Sequence, residues 1–332
     1  MIKPIVIAEL GSVHDGSIGN CLNLIKCAKD NGAEMVKLQH HISEEETLKN
    51  APNPKYFNSE KRYNYFKRIS FSKEEWLKII RYCKKIKIDF MCSVFSLKSY
   101  KFLVSIGCKN IKIPSGELNN IYLLKKISLN KKIRIFISTG MSNWREIFDA
   151  VSILNKNKLV IFQCTSLYPC PPKFSGINII KDLKKKFPLH KIGFSDHTKG
   201  NVAAILAHAL GSEYFEKHIT FSNSMYGSDA RFASEPKNFR EYCDSLDEAF
   251  LINSAKVNKD NLKPFLHMRK VFQKGIYYKS DIKKNTIIKE NLIVFKKPAQ
   301  QIPASKYQKI LKKKLKKDVK KDQIIKISDF YI

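Results

Sequence analysis

Short apolar runs alternate with amphipathic segments along the first 250 residues or so of the chain. Eight of these runs are rich in β-branched and apolar residues, namely 4–8, 35–39, 88–93, 109–113, 133–138, 159–164, 190–194 and 213–218. Their apolar residues are continuous and do not alternate with polar ones, which is typical of strands covered on both faces. Eight strand–helix units in about 250 residues predict an α/β fold, a (β/α)₈ TIM barrel.

The last part of the chain has a different pattern, with a nine-residue repeat. The copies are DIKKNTIIK at 281–289 and DVKKDQIIK at 318–326. Each places polar turn residues before two isoleucines, which predicts short strands and a compact β domain with approximate two-fold symmetry. We therefore expect a barrel at 1–253, a polar linker at 254–267 and a small β domain at 268–332. A β domain of roughly 65 residues is small for independent stability, so we expect it to pack on something larger.

Composition narrows the class of protein. The formal net charge is +31, but lysine is spread along the whole chain, and only 312–321 is a dense run. That run has no interleaved aromatic residues to stack bases, so we expect no nucleic-acid partner. No apolar run approaches the roughly 18 residues of a membrane span. The apolar run at the start of the sequence is too short for the core of a signal peptide. The eight cysteines form no CxxC pair and are expected to be reduced thiols in a cytoplasmic protein.

Polar side chains follow the predicted strands at the end where such barrels place their active sites. They are Glu9, Lys37, Ser93, Lys112, Ser115, Glu117, Ser138, Ser166, Tyr168, Ser195, His197 and His218, with Asp229 in the loop after the last strand. Imidazole is a common ligand of divalent metals, and lysines with hydroxyls suit phosphate. The set predicts a phosphorylated small substrate beside a metal. The bland alternative is a rim of satisfied histidines and snorkelling lysines.

The long stretch 40–71 separates the second strand from the next helix. It is rich in Tyr and Phe and is expected to fold over the mouth of the barrel.

Several stretches resemble a known family. They are IAELGSVHDG (7–16), GAEMVKLQ (32–39), IKIPSGELNN (111–120), ISTGMS (137–142), CTSLYPCPP (164–172), GFSDHT (193–198), EKHIT (216–220) and GSDARFASEP (227–236). In order and spacing they resemble the sialic acid (nonulosonate) synthases, transferases of carbohydrate biosynthesis that condense phosphoenolpyruvate with an N-acylated hexosamine. The tail resembles the antifreeze-like (SAF, β-clip) domain that ends these enzymes.

The resemblance implies roles for individual residues. Those implied around phosphoenolpyruvate are Lys37, Ser93, Lys112, Ser115, Ser138, Ser166 and Ser195. His197 and His218 would bind Mn²⁺, with Mg²⁺ or Co²⁺ as other possibilities, and Glu117, Tyr168 and Asp229 would hold the sugar. Glu9 would lie near the reacting carbon, so that Glu9, Glu117 and Lys112 form the catalytic set. The resemblance also implies a domain-swapped homodimer.

The chain departs from the family pattern at two places. Val13 precedes His14 where many relatives have Asn, and Lys297 stands where the tail usually offers an arginine to the sugar. Lys297 is expected to enter the partner's sugar site; the alternative is a solvated lysine. The acceptor therefore stays open between N-acetylmannosamine, a 2,4-diacetamido-trideoxyhexose leading to legionaminic or pseudaminic acid, and a sugar phosphate leading to a 9-phosphate product.

Two rivals remain at this level. A 3-deoxy-octulosonate or heptulosonate phosphate synthase is also a barrel that uses phosphoenolpyruvate, but those enzymes lack the appended β domain. An inactive glycan-binding protein is a rival of a different class, and the presence of Lys37, Lys112, His197 and His218 argues against it.

Overall fold

The computed structural model describes residues 2–331 except 55, 56, 58, 59 and 155–157. The chain divides into two compact units, Met1–Ala255 and Lys256–Ile332.

The first unit contains a closed barrel of eight parallel strands in chain order. The strands are β1 (Ile5–Gly11), β2 (Met35–His40), β3 (Asp89–Val94), β4 (Asn110–Ile113), β5 (Arg134–Ser138), β6 (Lys158–Cys164), β7 (Lys191–Asp196) and β8 (Tyr214–His218). β1 pairs with both β2 and β8, which closes the barrel. The predicted (β/α)₈ fold is confirmed. The largest difference is at β1, predicted to end at residue 8, because Glu9 and Gly11 continue the pairing with β2.

Helices connect the strands and cover the barrel. They are α1 (Ile18–Asp30), α2 (Ser43–Glu46), α3 (Arg62–Arg68), α4 (Lys73–Lys85), α5 (Leu97–Ser105), α6 (Ile121–Ser128), α7 (Trp144–Leu154), α8 (Ile177–Lys186), α9 (Val202–Ala209) and α10 (Pro236–Ser254). The amphipathic pattern also predicts a helix at 142–155, which corresponds to α7, and its last residue lies outside the described residues. α4 shows how the sequence sets a helix start. Ser72 and Glu75 form a capping box, in which their side chains accept hydrogen bonds from free backbone amides at the helix N-terminus.

Both faces of each strand are buried, but in different cores. Apolar side chains on the outer face pack against the helices. The inward face fills the barrel with a separate cluster, made of Ile7, Met35, Met91, Phe136, Val160, Phe162 and Tyr214. This apolar plug closes the lower half of the barrel, so polar inward residues lie in a layer above it, toward the carboxyl ends of the strands.

The second unit contains α11 (Leu266–Phe272) and a two-stranded antiparallel sheet of β9 (Gly275–Tyr278) and β10 (Ile293–Lys296). α11 begins inside the stretch predicted as a polar linker. The repeat folds symmetrically, since Asn285 and Asp322 occupy the same repeat position and have φ of 70° and 62°. Its ion pairs are reciprocal, Lys283–Asp318 and Lys320–Asp281, each 2.9 Å.

One prediction for the second unit was wrong. The isoleucine pairs of the two repeats were expected to form short strands, but Ile287 and Ile324 make only isolated bridges, to Lys314 and Tyr277. Each repeat has only nine residues, and the left-handed turn at its fifth position leaves too few residues for a continuous β-ladder.

All eight cysteines are free thiols, and seven of them are buried. Within the described ranges, no helix combines the length and the apolar content needed to span a bilayer.

Candidate active site

A layer of buried charged residues lies above the apolar plug. Lys37 Nζ is 3.1 Å from Glu9 Oε2 and 3.2 Å from Glu216 Oε1. Lys112 Nζ is 3.0 Å from the other oxygen of Glu216 and 3.7 Å from the ring centroid of Phe162. One carboxylate on β8 therefore holds two lysines from β2 and β4, and we call Glu9, Lys37, Lys112 and Glu216 the inner network.

Burial and the close charges shift the pKa values of the residues in the inner network. Desolvation, opposed in part by Lys37, raises the pKa of Glu9 to about 7. Desolvation also lowers the pKa of Lys112, against the attraction of Glu216. The pKa of Glu216 is lowered because Lys112 and Lys37 together outweigh its own burial. Glu9 is thus a carboxyl group able to gain or lose a proton near neutral pH.

Two of the predicted serine hydroxyls contact this network. Ser93 accepts a hydrogen bond from Lys37 at 3.2 Å, and Ser195 donates to Glu216 at 3.1 Å. The other predicted serines are Ser138, buried on β5, and Ser115 and Ser166, whose hydroxyls are 3.1 Å apart. Gly140 is required here, because a Cβ at this position would lie 2.1 Å from the side chain of Ser115.

Two histidines stand at the mouth above the network. The ring centroids of His197 and His218 are 5.7 Å apart, and Tyr168 lies 4.2 Å from the ring of His197. His197 Nδ1 is 2.8 Å from the carbonyl oxygen of Thr165, which favours an Nδ1–H tautomer and leaves Nε2 available as a ligand. Burial lowers the pKa of His218, so its neutral form is favoured.

The space beside these histidines is small. It is about 10 Å³ and is lined by Tyr168, Asp196, His197, Lys217, His218, Asp229 and Phe232. That volume suits a single water or ion. No group of three or more His, Cys, Asp or Glu side chains in the described part of the chain is arranged to hold a metal. The two imidazoles therefore fit a metal only as a pair, with the remaining ligands supplied by water or substrate.

A second ion pair supports the histidines from the outer face of the same strands. Asp196 and Lys217 are opposite each other on β7 and β8, are buried, and are 3.1 Å apart. Lys217 also donates to the carbonyl of Thr198 at 2.5 Å, and Asp196 accepts from the amide and hydroxyl of Thr198. Each partner directly precedes a histidine. The pair thereby fixes the strand ends from which both imidazoles project.

A larger opening lies beside Asp229, and we call it the front cavity. It measures about 380 Å³, and its lining includes Gln39, His41, Glu46, Arg62, Glu117 and Asp229. Asp229 accepts two hydrogen bonds from Ser12, and Glu117 accepts one from Asn120. Burial raises the pKa of Glu117. The size is in the range of small-molecule sites, and the carboxylates suit a ligand rich in hydroxyl and amide donors.

Comparison with known proteins identifies the family. Residues 24–258 match the NeuB family and residues 273–330 match the SAF domain. This chain belongs to the NeuB family. It is 33% identical to the N,N'-diacetyllegionaminic acid synthase of Campylobacter jejuni serotype O:2, over 98% of this chain and all of that protein. It is 29% identical to a pseudaminic acid synthase of Campylobacter jejuni serotype O:23/36, over 99% and 97% of the two chains.

A solved structure gives the same picture for this NeuB-family chain. The N-acetylneuraminic acid (sialic acid) synthetase of Leptospira borgpetersenii, in complex with citrate, is 29% identical and superposes with a TM-score of 0.69. The match covers 80% of this chain and 91% of that chain.

Most of the predicted site residues of this NeuB-family chain gather at one end of the barrel. Lys37, Ser93, Lys112, Ser138 and Ser195 lie in or beside the inner network, while the histidines, Tyr168, Glu117 and Asp229 surround the openings above it. Lys297 belongs to the second unit, where its Nζ is 5.1 Å from the ring centroid of Phe272.

Sequence reasoning missed two residues, and the more important one is Glu216. It is the hub of the inner network, and the signal was a carboxylate inside a buried strand, two residues before His218 and so on the same face. Gln39 was missed for the same reason; it is two residues after Lys37 and donates to Glu9 at 2.5 Å. Val13, which departs from the family pattern, and the His14 that follows it are both buried, and the ring centroids of His14 and Phe71 are 4.5 Å apart.

Proposed function

We propose that the protein is a nonulosonic acid synthase that condenses phosphoenolpyruvate with an N-acylated hexosamine and releases phosphate. The observation that carries the proposal is the inner network lying directly below the histidine pair, in a chain of the NeuB family.

The inner network supports the phosphoenolpyruvate half. Lys37 and Lys112 share Glu216, and Lys37 also contacts Glu9, whose pKa is raised to about 7 by burial. A substrate with phosphate and carboxylate groups would bring its negative charge to the two lysines. The serines next to each partner are donors for phosphate oxygens.

The chain's residues support each step of the reaction. Carbon 3 of phosphoenolpyruvate attacks the aldehyde carbon of the open-chain sugar, which forms the new C–C bond and leaves cationic character at carbon 2. A water adds to carbon 2 and gives one proton to Glu9, whose pKa is raised to about 7 by burial, and that proton passes on to the alkoxide formed at the former aldehyde oxygen. The bond from carbon 2 to the phosphate oxygen then breaks as the new hydroxyl on carbon 2 becomes the keto oxygen; its proton leaves with inorganic phosphate, whose charge the lysines neutralise.

His197 and His218 are the proposed ligands of a divalent metal, Mn²⁺. A bound metal supplies Lewis acidity that polarises the aldehyde oxygen. The Thr165 carbonyl and the Asp196–Lys217 pair hold the two imidazoles in place for that role.

The front cavity is the proposed sugar site. Glu117 and Asp229 offer acceptors to hydroxyl and amide groups, and Tyr168 stands at the boundary with the histidines. The similarity to legionaminic and pseudaminic acid synthases favours a 2,4-diacetamido-trideoxyhexose over N-acetylmannosamine. A sugar phosphate leading to a 9-phosphate product is the third acceptor to include in a test.

The deciding assay measures phosphate release from phosphoenolpyruvate with Mn²⁺ and each acceptor in turn. We expect release only when a hexosamine acceptor is present, with a 2-keto sugar acid as the product by mass spectrometry. Lys112→Met should lose activity, and the exposed Lys125→Met is the matched control. An intact, folded protein that releases no phosphate with any acceptor, yet binds glycans, would instead support the inactive sugar-binding alternative.

We further propose that the protein is a domain-swapped homodimer, with the tail of one chain covering the barrel mouth of the other. The support is an apolar surface between 262 and 272: Leu262, Phe265, Leu266, Met268, Val271 and Phe272 are between 40% and 59% exposed. A second copy of the chain would bury this surface. Lys297, in this arrangement, enters the partner's sugar site in place of the usual arginine.

Mixing two inactive variants tests the swap. Chains with Lys297→Glu have an intact barrel, and chains with His218→Ala have an intact tail. A heterodimer regains one complete site only if the tail works on the partner's barrel. Heterodimers that form without any recovery of activity would rule out the swapped arrangement.

A further inference from the structure

The front cavity is lined by two side chains that each keep one buried polar atom without a hydrogen bond. The atoms are Oε2 of Glu46 and Nε of Arg62, and neither has a hydrogen-bond partner within the described part of the chain. The proposed reaction gives these two residues no role. A buried polar group without a partner is costly unless a ligand or a water satisfies it. The two atoms therefore indicate a ligand group that offers a donor to Glu46 and an acceptor to Arg62.

A stacked histidine holds the Glu46 carboxylate in place. The ring of His41 lies against the rings of Phe66 and Phe95, with centroids 3.7 and 4.0 Å away. His41 Nδ1 is 2.6 Å from Glu46 Oε1, and His41 Nε2 is 3.0 Å from Gln39 Oε1. The Glu46 side chain is only 6% exposed. Its Oε1 is thus bound to His41, while Oε2 is left for a ligand.

Arg62, on α3, lies close to the same carboxylate. Its Nη2 donates to the hydroxyl of Thr47 at 3.3 Å, and Thr47 directly follows Glu46 in the chain. A phosphate at Arg62 would be repelled by the neighbouring carboxylate. A neutral secondary amide suits both residues, because its oxygen accepts from Arg62 and its N–H donates to Glu46. Phe66 and Phe95 also line the cavity and offer apolar surface to the methyl group of an acetylated amine.

The position of this pair indicates which part of the sugar it reaches. Three successive hydrogen bonds, from Glu46 to His41, from His41 to Gln39 and from Gln39 to Glu9, separate Glu46 from the proposed base. Glu46 and Arg62 are also not among the residues that line the small space beside the metal-binding histidines. The amide at carbon 2 of a hexosamine is next to the reacting aldehyde carbon. An amide that reaches Glu46 and Arg62 is therefore a different one, farther along the sugar.

Building on the synthase function proposed above, we propose that Glu46 and Arg62 bind a second N-acyl group of the acceptor sugar. Arg62 Nε donates to the acyl oxygen, Glu46 Oε2 accepts from the amide N–H, and Phe66 and Phe95 contact the acyl methyl group. The acceptor is then a hexose with two N-acyl groups, and this pair of residues determines the preference for the second one.

Two acceptors that differ in a single group test this assignment. One is a 2,4-diacetamido-2,4,6-trideoxyhexose, and the other has a hydroxyl in place of the 4-acetamido group. With phosphoenolpyruvate and Mn²⁺, kcat/KM of the unaltered protein should be higher for the diacetamido sugar by about tenfold or more, since both hydrogen bonds involve charged groups. Arg62→Gln and Glu46→Gln should each lower that ratio by about fivefold or more, because each removes one charged partner.

The matched control is Arg81→Gln, which removes a guanidinium from an exposed position on α4 and should leave the ratio unchanged. Because both acceptors are measured on the same variant, a smaller fraction of folded protein does not change the ratio. Equal kcat/KM for the two acceptors in the unaltered protein, or an unchanged ratio in both variants, would overturn the second-amide assignment while the synthase function stands. So would a preference for a hexosamine 6-phosphate that Arg62→Gln abolishes, since a phosphate would then be the group at Arg62.

Failure of the synthase function gives a different result. In that case the unaltered protein releases no phosphate with either acceptor, and binding of the two sugars is measured by calorimetry instead. Tighter binding of the diacetamido sugar that weakens in Arg62→Gln, but not in Arg81→Gln, would support the assignment by itself. Equal or absent binding of the two sugars would overturn it.

Discussion

Carboxylates on the two faces of β7 and β8 form ion pairs with lysines at nearly the same distances. The two faces differ in how many partners and further hydrogen bonds the paired groups have. On the inner face, Glu216 is shared by Lys37 and Lys112 at 3.2 and 3.0 Å. On the outer face, Asp196 pairs with Lys217 alone at 3.1 Å, and both partners make further hydrogen bonds to Thr198. Glu216 and Lys217 are neighbours in sequence, so the pleat of one strand separates the two environments.

This difference indicates that the inner network is suited to binding a ligand and that the outer pair is suited to stabilising the fold. In the inner network, burial lowers the pKa of Lys112 and raises that of Glu9 to about 7. A charged ligand could therefore stabilise the ionised form of Lys112. The outer pair is complete without a ligand. We expect inner substitutions to change function with little loss of stability, as in many functional sites, and outer ones to do the reverse.

The largest expected effect is on the outer face. Lys217→Met leaves Asp196 buried without its cation, so the free energy of unfolding should fall by about 3–5 kcal/mol. Urea unfolding measures this. The double variant Asp196→Asn with Lys217→Met should recover part of the loss, and Lys191→Met on the exposed end of β7 is the control. A loss below about 1 kcal/mol in Lys217→Met would remove the distinction between the faces.

At the mouth, His218→Ala should lower Mn²⁺ affinity by more than about 100-fold, since even outer-shell partners of a metal ligand contribute 10–100-fold. Chelator should abolish turnover of the unaltered protein, and Mn²⁺ should restore it. Metal binding by calorimetry and unfolding by urea are measured on the same sample. Full turnover of His218→Ala in the presence of chelator would refute the metal assignment.

On the inner face, Lys112→Met keeps the apolar stem and removes the charge. Phosphoenolpyruvate affinity should fall by about 10–100-fold, the range for a hydrogen bond to a charged group. Unfolding free energy should change little, because Lys37 still contacts Glu216 and Glu9, with its pKa raised to about 7, can take up a proton that balances the lost charge. Amino-sugar affinity, measured separately, should stay constant. If only sugar affinity changes, the two halves of the site are assigned the wrong way round.

The smallest effect concerns a histidine on the outer face. His40 contacts Ser99 and lies beside Trp76, and burial, with a smaller contribution from His41, lowers its pKa to about 4. Because the unfolded chain binds this proton more tightly, stability should fall as pH drops from about 6.5 through 4, by about 1–2 kcal/mol between pH 7 and 5. His40→Gln should flatten that slope. An unchanged slope would show that other groups dominate acid destabilisation.

The sequence carried enough information for the barrel and for the position of the site, because continuous apolar runs ended in polar residues at each strand. It could not reveal which charges neutralise each other. Lys37 and Lys112 were predicted as an anion site, and only the closed barrel brings Glu216 between them. The tail was predicted as strands because the isoleucine pairs are β-formers, whereas the left-handed residues Asn285 and Asp322 leave little room for ladders.

The inner network also lies across the seam of the barrel. Glu9 is on β1 and Glu216 is on β8, and Lys37 on β2 contacts both. These strands become neighbours only when the last strand docks against the first, more than 200 residues away in the chain. A nascent chain that ends before β8 therefore lacks both Glu216 and the pairing of β8 with β1, and the inner network can form only in the event that closes the barrel.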